Sequence, residues 1–536
     1  MPADNSHSTA APLNSTPKTT GRLRAWADTL LVLLVFLVVG GDLAPGVNEA
    51  HYLTRLKHWW NPQWIGPDLF LDSPDAHLTV VLLFGWLTLW LPLTAVAWIG
   101  RLVSWAVLAW AWRRLCWRLV PTMGVASLAA ALWCVAVRQG HLAGEWVVGG
   151  FEAKSLAWAF VIAALGSCCG GQWNRAWVEL GVASALHVLV GGWSVVLLAV
   201  VWSIHYRQQV SLPAMTPGLA IGGLFALAGI VPPLVMNAGT SPEVASEAAL
   251  IYVFERLPHH LAPLSMGGEW WWLRGSSHLV MLLLLGIAMR WARKTELKQA
   301  RCLCSYAWGA VALSVAGLLI ELMATIAPDR SAALLRFYWF RTADIAVPLA
   351  VSLAFVTWLV RAMQQQPVLA KRSFVAALLL IAWYQVPVVG SRLQSDRPPA
   401  DKSVRDYHAW IDVCQWAATH TDDDALFLTP RGSHTFHWRA ERAEVVVRKN
   451  IPQDAAGLLE WYRRMREVHQ PPNTPPDALK PWTLTPGSLG ARRLKWLAGK
   501  YGIDYVLSDH RRPVSLPVAY RNRAYTVYDL RDAKHP

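Results

Sequence analysis

Charge is scarce in this chain. Asp, Glu, Lys and Arg make up 16% of 536 residues, and hydrophobic residues make up 54%. A soluble domain carries about 25% charged residues, so an ordinary soluble chain is excluded. Cysteine is sparse as well: Cys116, Cys134, Cys168, Cys169, Cys302, Cys304 and Cys414. None forms a C-x-x-C pair, so neither a zinc ribbon nor a disulfide framework is indicated. Six lie in or beside hydrophobic runs and read as small apolar fillers. No P-loop, G-x-S-x-G or H-E-x-x-H motif occurs, which removes the commonest nucleotide, hydrolase and zincin signatures. No internal repeat is evident.

Acids are outnumbered, 35 against 49 Lys and Arg, leaving a net charge of +14. Much of that excess sits in short segments beside hydrophobic runs, and the rest is in the last third of the chain. Basic residues in that position set membrane topology. They do not form the patch expected of a nucleic-acid binder.

Long apolar runs are abundant. Several exceed the ~17–20 residues that cross a hydrocarbon core. The 32 tryptophans suit both bilayer interfaces. The expected class is an all-α polytopic membrane domain followed by a small α/β domain.

The first 25 residues, rich in Ser, Thr, Pro and Asn, are expected to be a disordered cytoplasmic arm. Lys18, Arg22 and Arg24 precede the apolar run 29–40. That run reads as an uncleaved first helix, because an acidic loop follows it and no clear A-x-A site precedes it. Residues 26–390 form the membrane domain, with about eleven spans. Residues 78–91 are apolar but short and end at Pro92, so they read as re-entrant. Arg113, Arg114 and Arg118, and again Arg290, Arg293, Lys294, Lys298 and Arg301, fall on the cytoplasmic side. Loops 42–77 and 237–277 then lie outside, as does the tail, 391–536. In the tail, 425–428, 445–447, 505–507 and 525–527 read as strands, and 406–420 and 455–468 as helices.

The loop 42–77 holds most of the candidate chemistry. Glu49 follows a Pro-Gly turn, where a carboxylate at a water–lipid boundary could serve as a general base. Asp72 and Asp75 are oxygen donors at a spacing that suits Mg²⁺ or Mn²⁺. Asp75 equally reads as a helix cap. GEWVVGGFEAK places Glu145, Glu152 and Lys154 beside paired glycines, which allow close approach of a ligand. The alternative there is an interfacial turn with an ion pair. FERLPHHLAP offers Arg256, His259 and His260 for a phosphate. Arg336 and Arg341 flank FYWF, and Arg336 is the expected phosphate clamp. The i, i+3 spacing of Arg341 and Asp344 equally suggests that they neutralise one another. His187 reads as a core histidine.

The stretches NEAHYL, DLFLDSPDAH, GGFEAK, HVLVGGW, RLPHHL, LRFYWFR, LTPRGSHTFHW and NIPQDA resemble a family of polytopic membrane proteins of planctomycete-type bacteria. That family ends in a domain of unknown function. A cytoplasmic N-terminus, an acid in the first external loop, about eleven helices and an external tail also resemble the GT-C superfamily of integral membrane glycosyltransferases. The resemblance implies transfer of a sugar from a polyprenyl-phosphate donor at the outer face of a bacterial inner membrane. It implies a catalytic carboxylate in the first external loop, for which Glu49 is the match by placement. Asp42, Asp72 and Asp75 are looser matches for a metal. Many members carry two adjacent acids where this chain has Asn48-Glu49. Two rival readings are a transporter or flippase of an anionic lipid, and a membrane scaffold without catalysis. Transport requires ionisable residues deep in the spans.

Overall fold

The computed structural model describes residues 18–471, 474, 482, 483 and 485–534. Of the arm expected to be disordered, residues 1–17 lie outside the described residues. From Lys18 onward the chain is already helical.

In order, the principal helices of the first part are α1 (Lys18–Gly40), α2 (Glu49–Trp60), α3 (Leu93–Leu119), α4 (Val125–Gly140), α5 (Ala153–Cys169), α6 (Trp173–Leu186), α7 (Val188–His205), α8 (Leu212–Met236), α9 (Ser276–Lys294), α10 (Lys298–Leu322), α11 (Arg341–Gln365) and α12 (Pro367–Gln394). Among the described residues, eight helices are long and apolar enough to cross a membrane: α1, α3 and α7 to α12. Helices α4, α5 and α6 are shorter and pack among them.

Burial explains the sequence. Helices α5 and α11 are buried on nearly every side, which is why their apolar residues show no polar face. Helix α1 turns Val32, Phe36 and Val39 inward and leaves Leu23, Leu30, Leu34 and Val38 exposed. On α12, Val375, Leu379, Trp383 and Val386 are exposed. Such surfaces are costly in water and natural in lipid. Helices α6 and α8 touch backbone to backbone: a Cβ on Gly222 would lie 2.4 Å from the Trp177 carbonyl oxygen. Small residues permit that approach where no hydrophobic effect drives helices together.

The bundle has two polar ends. At one, Asp28 accepts hydrogen bonds from the Trp117 indole (2.6 Å) and the Gly124 amide (2.9 Å). There Arg114 meets Glu179 at 2.8 Å and Ser167 at 2.7 Å. The other end gathers the loop 42–77, the α4–α5 connection, residues 237–275 and the tail. The loop 42–77 is not irregular throughout, because α2 occupies a third of it. Residues 78–91 fold as a short helix, Leu78–Phe84, and a tighter turn, Gly85–Leu89. The Trp60 indole donates to the Val81 carbonyl at 2.9 Å and holds this piece at the same end.

The tail builds a five-stranded mixed sheet. Its elements are α13 (Tyr407–His420), β1 (Leu426–Leu428), α14 (Phe436–Ala440), β2 (Ala443–Glu444), α15 (Ala455–His469), α16 (Gly490–Tyr501), β3 (Tyr505–Asp509), β4 (Val518–Arg521) and β5 (Tyr525–Asp529). The strand order is β2-β1-β3-β5-β4. Strands β2, β1 and β3 are parallel; β5 is antiparallel to β3 and β4. Alternate residues serve opposite faces. Phe427, Tyr505 and Leu507 pack with Trp410 and Phe436, while Leu428 and Val506 pack with Trp461 and Leu497. Both faces are therefore covered. Strand β2 lies two residues before the expected 445–447, and β4 and α16 are additional to the expected elements.

The tail docks on the loop 42–77. The His437 ring nitrogen Nε2 meets Asp68 at 2.8 Å, and the Glu444 amide donates to the same Asp68 oxygen at 3.0 Å. The Ala76 amide donates to Gln453 at 3.0 Å, and Lys57 reaches Glu441 at 3.1 Å.

Candidate functional site

Glu49 opens α2 and is wholly buried. Its Oε1 accepts from Arg101 Nε and the Phe151 amide, both at 2.6 Å. Its Oε2 accepts from Arg101 Nη2 at 2.5 Å and the Gly46 amide at 2.6 Å. Arg101, on α3, is equally buried and also donates to the Asp42 carbonyl. Two forked N–H bonds on one carboxylate are the geometry an arginine favours. All the ordinary acceptor directions of Glu49 are taken. Arg101 went unmarked in the sequence, where it is one basic residue inside an apolar run. An intramembrane arginine was itself the signal.

Beside this pair the α4–α5 connection folds back over the site. Asp344, near the start of α11, accepts from the amides of Leu142 (2.6 Å), Ala143 (2.9 Å) and Glu145 (3.1 Å). It therefore does not neutralise Arg341, as the i, i+3 spacing suggested. Arg341 instead reaches Glu145 at 3.1 Å and lies over the Tyr338 ring. Lys154 stands between two acids, 3.5 Å from Glu145 and 3.4 Å from Glu152. Asn48 donates to the other Glu152 oxygen at 2.7 Å.

Asn48, Glu152, Lys154 and Arg341 help to line a small polar cavity of about 70 Å³. Its walls include Asn48, Tyr52, His77, Glu152, Lys154, His187, His260 and Arg341. His187 is thus a cavity residue rather than a core one, 5.3 Å from His77 ring to ring. The His260 Nδ1 donates to the Ala143 carbonyl, so Nε2 carries its lone pair. Burial raises the Glu152 carboxyl above its usual range, against the pull of Lys154 and Asn48. A second cavity, about 230 Å³, shares Gly144 and Trp146 with the first. Val39, Trp133, Val137 and Val148 line one part of it, and Asp42, Arg138 and Glu145 another. Small-molecule sites start near ~300 Å³, so this space admits a ring or a short apolar segment.

Basic groups from the tail complete the end. Lys449 is close enough to Glu152 and Lys154 to feel both, and Arg256 and Arg448 are near it in turn. Burial lowers Lys449 to about 8 and Arg256 to about 10. The His259 ring lies tilted against His260, with ring centroids 4.0 Å apart. Burial, then Arg256 and Arg448, hold His259 down at about 4. Arg256 ends a π-helical turn, Ile251–Arg256, of the kind found often at functional positions.

The remaining sequence candidates fall elsewhere. Arg336 is exposed and lines neither cavity, so it is not the phosphate clamp of this site. Asp72 accepts from the Asp68 amide and pairs with His58, both at 2.8 Å. Asp75 meets Arg55 at 3.3 Å and the His77 amide at 2.7 Å. Asp72 is exposed and Asp75 half-buried, and the two carboxylates hold different partners. Among the described residues no three metal-ligating side chains converge. The tail residues Arg448 and Lys449 were not singled out, because a charge pair between a strand and a helix reads as a solvated turn.

Residues 408–468 match a family model described as Domain of unknown function (DUF6798). No curated protein matches the chain. The matched stretch carries His437, Glu444, Arg448 and Lys449. It therefore includes both the dock to the first loop and the tail's contribution to the site. Glu152, Lys154, Arg256 and Arg341 lie outside it.

Proposed function

We propose that the protein is a membrane glycosyltransferase that takes its sugar from a polyprenyl-phosphate carrier at the outer face of a bacterial inner membrane. The carrying observation is the convergence of Glu152, Lys154, Arg341 and His260 on one polar cavity, with Glu145 bridging Lys154 and Arg341 behind it and Arg256 and Lys449 beside it. In this reading eleven helices cross the bilayer: α1 and α3 to α12. The N-terminus is cytoplasmic, and the tail is extracytoplasmic with the site beneath it.

The chemistry is a single displacement. An acceptor hydroxyl oxygen attacks the sugar's anomeric carbon as the bond to the carrier phosphate oxygen breaks. The bonding pair leaves with the phosphate, and the hydroxyl proton passes to a base. Glu152 suits that base, since burial raises its proton affinity towards the working range of general-base catalysis. Glu49, the acid first suggested by placement, holds Arg101 and the site's backbone instead. Lys154, Arg256 and Lys449 would offset charge on the leaving phosphate. The aromatic walls of the larger cavity, Trp133 and Trp146, suit a sugar ring or a prenyl unit.

The ionisable groups argue against transport. Asp344 and Glu321 both cap backbone amides at the site end rather than lining a path at mid-depth.

The test is release of polyprenyl phosphate from a panel of polyprenyl-phosphate sugars by the purified protein in nanodiscs. At least one donor should be consumed. Glu152→Gln should cut turnover by about 10²-fold or more, as loss of a general base does, with the elution profile unchanged. Full turnover in that variant would remove Glu152 from the mechanism, and inertness to every donor would end the transferase reading.

A further inference from the structure

The charge at the site end does not balance. Six cations gather at this end: Lys154 and Arg341 line the polar cavity, and Arg256, Arg431, Arg448 and Lys449 lie outside its walls. Two carboxylates face them. Glu145 is shared by Arg341 and Lys154, and Glu152 by Lys154 and Asn48. The other four cations have no ion pair among the described residues, and the buried Nε of Arg256 has no hydrogen-bond partner at all. They are nonetheless gathered, not scattered. Arg448 and Lys449 are adjacent, and the Arg448 amide donates to the Arg431 carbonyl at 3.1 Å. Arg256 lies close enough to repel Arg431 and Arg448.

Arg256, Arg431 and Lys449 are half-buried and Arg448 is exposed; holding unpaired like charges together partly out of water is unfavourable. A fold keeps such a cluster where a bound anion supplies the missing charge. A sugar phosphodiester brings only one negative charge, whereas a diphosphate brings two or three. Guanidinium forks also fit adjacent phosphate oxygens in pairs.

We propose that the cluster of Arg256, Arg431, Arg448 and Lys449, formed where the tail meets the 251–260 turn, binds a diphosphate group. Resting on the transferase reading, this makes the donor a lipid diphosphate sugar rather than a monophosphate one. The tail is then part of the binding site, and the membrane helices alone make only half of it. The lipid anchor would enter from the bilayer beside α1 and α4, along the apolar wall of the larger cavity.

Binding of inorganic pyrophosphate, inorganic phosphate, farnesyl diphosphate and farnesyl phosphate to the full chain in nanodiscs, by calorimetry, tests this without turnover. Each diphosphate should bind at least about 10-fold tighter than its monophosphate, and both should weaken with salt. Tighter binding of farnesyl diphosphate than of pyrophosphate would identify a lipid as the source, and equal binding would identify a free diphosphate. Arg448→Gln with Lys449→Gln should cost about 10²-fold or more, since each of the two charged hydrogen bonds contributes about 1.5–3 kcal/mol. Lys449→Arg, which keeps the charge, should lose less affinity than Lys449→Gln. Equal affinity for mono- and diphosphate, or no loss in the double variant, would overturn the proposal. Turnover of a monophosphate donor without diphosphate preference would sink this inference and leave the transferase reading standing. Diphosphate binding with no sugar transfer would do the reverse.

Discussion

At the scale of single residues, the decisive distinction is between a carboxylate held and a carboxylate poised. Glu49 and Glu152 lie on the same end of the bundle, and both are buried. Glu49 is closed by four donors, two of them from a matched guanidinium. Glu152 has one amide donor and an ammonium at 3.4 Å, and it faces a cavity. Sequence reasoning weighed them by neighbouring residues and could not see the partner 52 positions away in α3. The consequence is measurable. Removing either member of a buried pair strands the other, which costs about 3–5 kcal/mol. Arg101→Ala and Glu49→Ala should therefore each lower the thermal midpoint of the purified protein sharply. The paired replacement Glu49→Leu with Arg101→Met should recover much of the loss, because apolar substitutes often match such pairs. If Glu49→Gln kept the wild-type midpoint but lost all turnover, Glu49 would regain the role of base.

At the scale of elements, the tail and the first loop meet through a partly exposed pair, Lys57 with Glu441, and a buried one, His437 with Asp68. Burial alone would lower His437, yet the carboxylates of Asp68 and Glu444 outweigh it and hold the imidazole up at about 9. Asp68 is held below its ordinary value, because His437 and backbone amides more than offset its burial. A histidine whose folded value is raised stabilises the fold fully below its unfolded value near 6.5, and that gain fades as pH rises through about 9. For Asp68 the sign is opposite: its contribution is lost on acidification, as pH falls through its depressed value. Attachment of the tail should thus weaken from about pH 7 to pH 10. Limited proteolysis across 391–406 would report it as faster release of the tail. His437→Asn should flatten that alkaline slope; an unchanged slope would assign it to other groups. The elements on both sides of this contact differed in legibility. Helices α13 and α15 carry regular apolar spacing and were readable. Helix α16 has the same spacing in Leu494, Leu497, Ala498 and Tyr501, but it follows a Pro-rich stretch that masks its start. Strand β4 has no signal to read, since Val518, Ala519 and Arg521 are all exposed on a sheet edge.

At the scale of the whole molecule, composition sufficed for a helical membrane chain with a small α/β tail, because lipid-facing helices must be apolar and the tail need not be. The site was legible only as a set of separate motifs. GGFEAK, RLPHHL and the tail's basic residues are hundreds of positions apart, and only tertiary packing brings them to one end. Their shared end is what makes sidedness testable. Arg114 and Arg118 close α3 at the end opposite Glu49, and α9 runs from His278, which bonds the Gly140 carbonyl at 2.8 Å, to Lys294 at the far end. Lys294 and Lys402 are both exposed and lie at opposite ends. Six native cysteines are buried and Cys169 is half-buried, so background labelling should be low. In intact cells stripped of any outer wall barrier, a membrane-impermeant maleimide should modify Lys402→Cys and spare Lys294→Cys. Lysis should expose both. Basic clusters favour the cytoplasmic side because they resist translocation, and the site with its tail must then face outward. Labelling of Lys294→Cys alone before lysis would invert the molecule and place the site on the cytoplasmic face. A lipid-linked donor would then have to be used on the side where it is made.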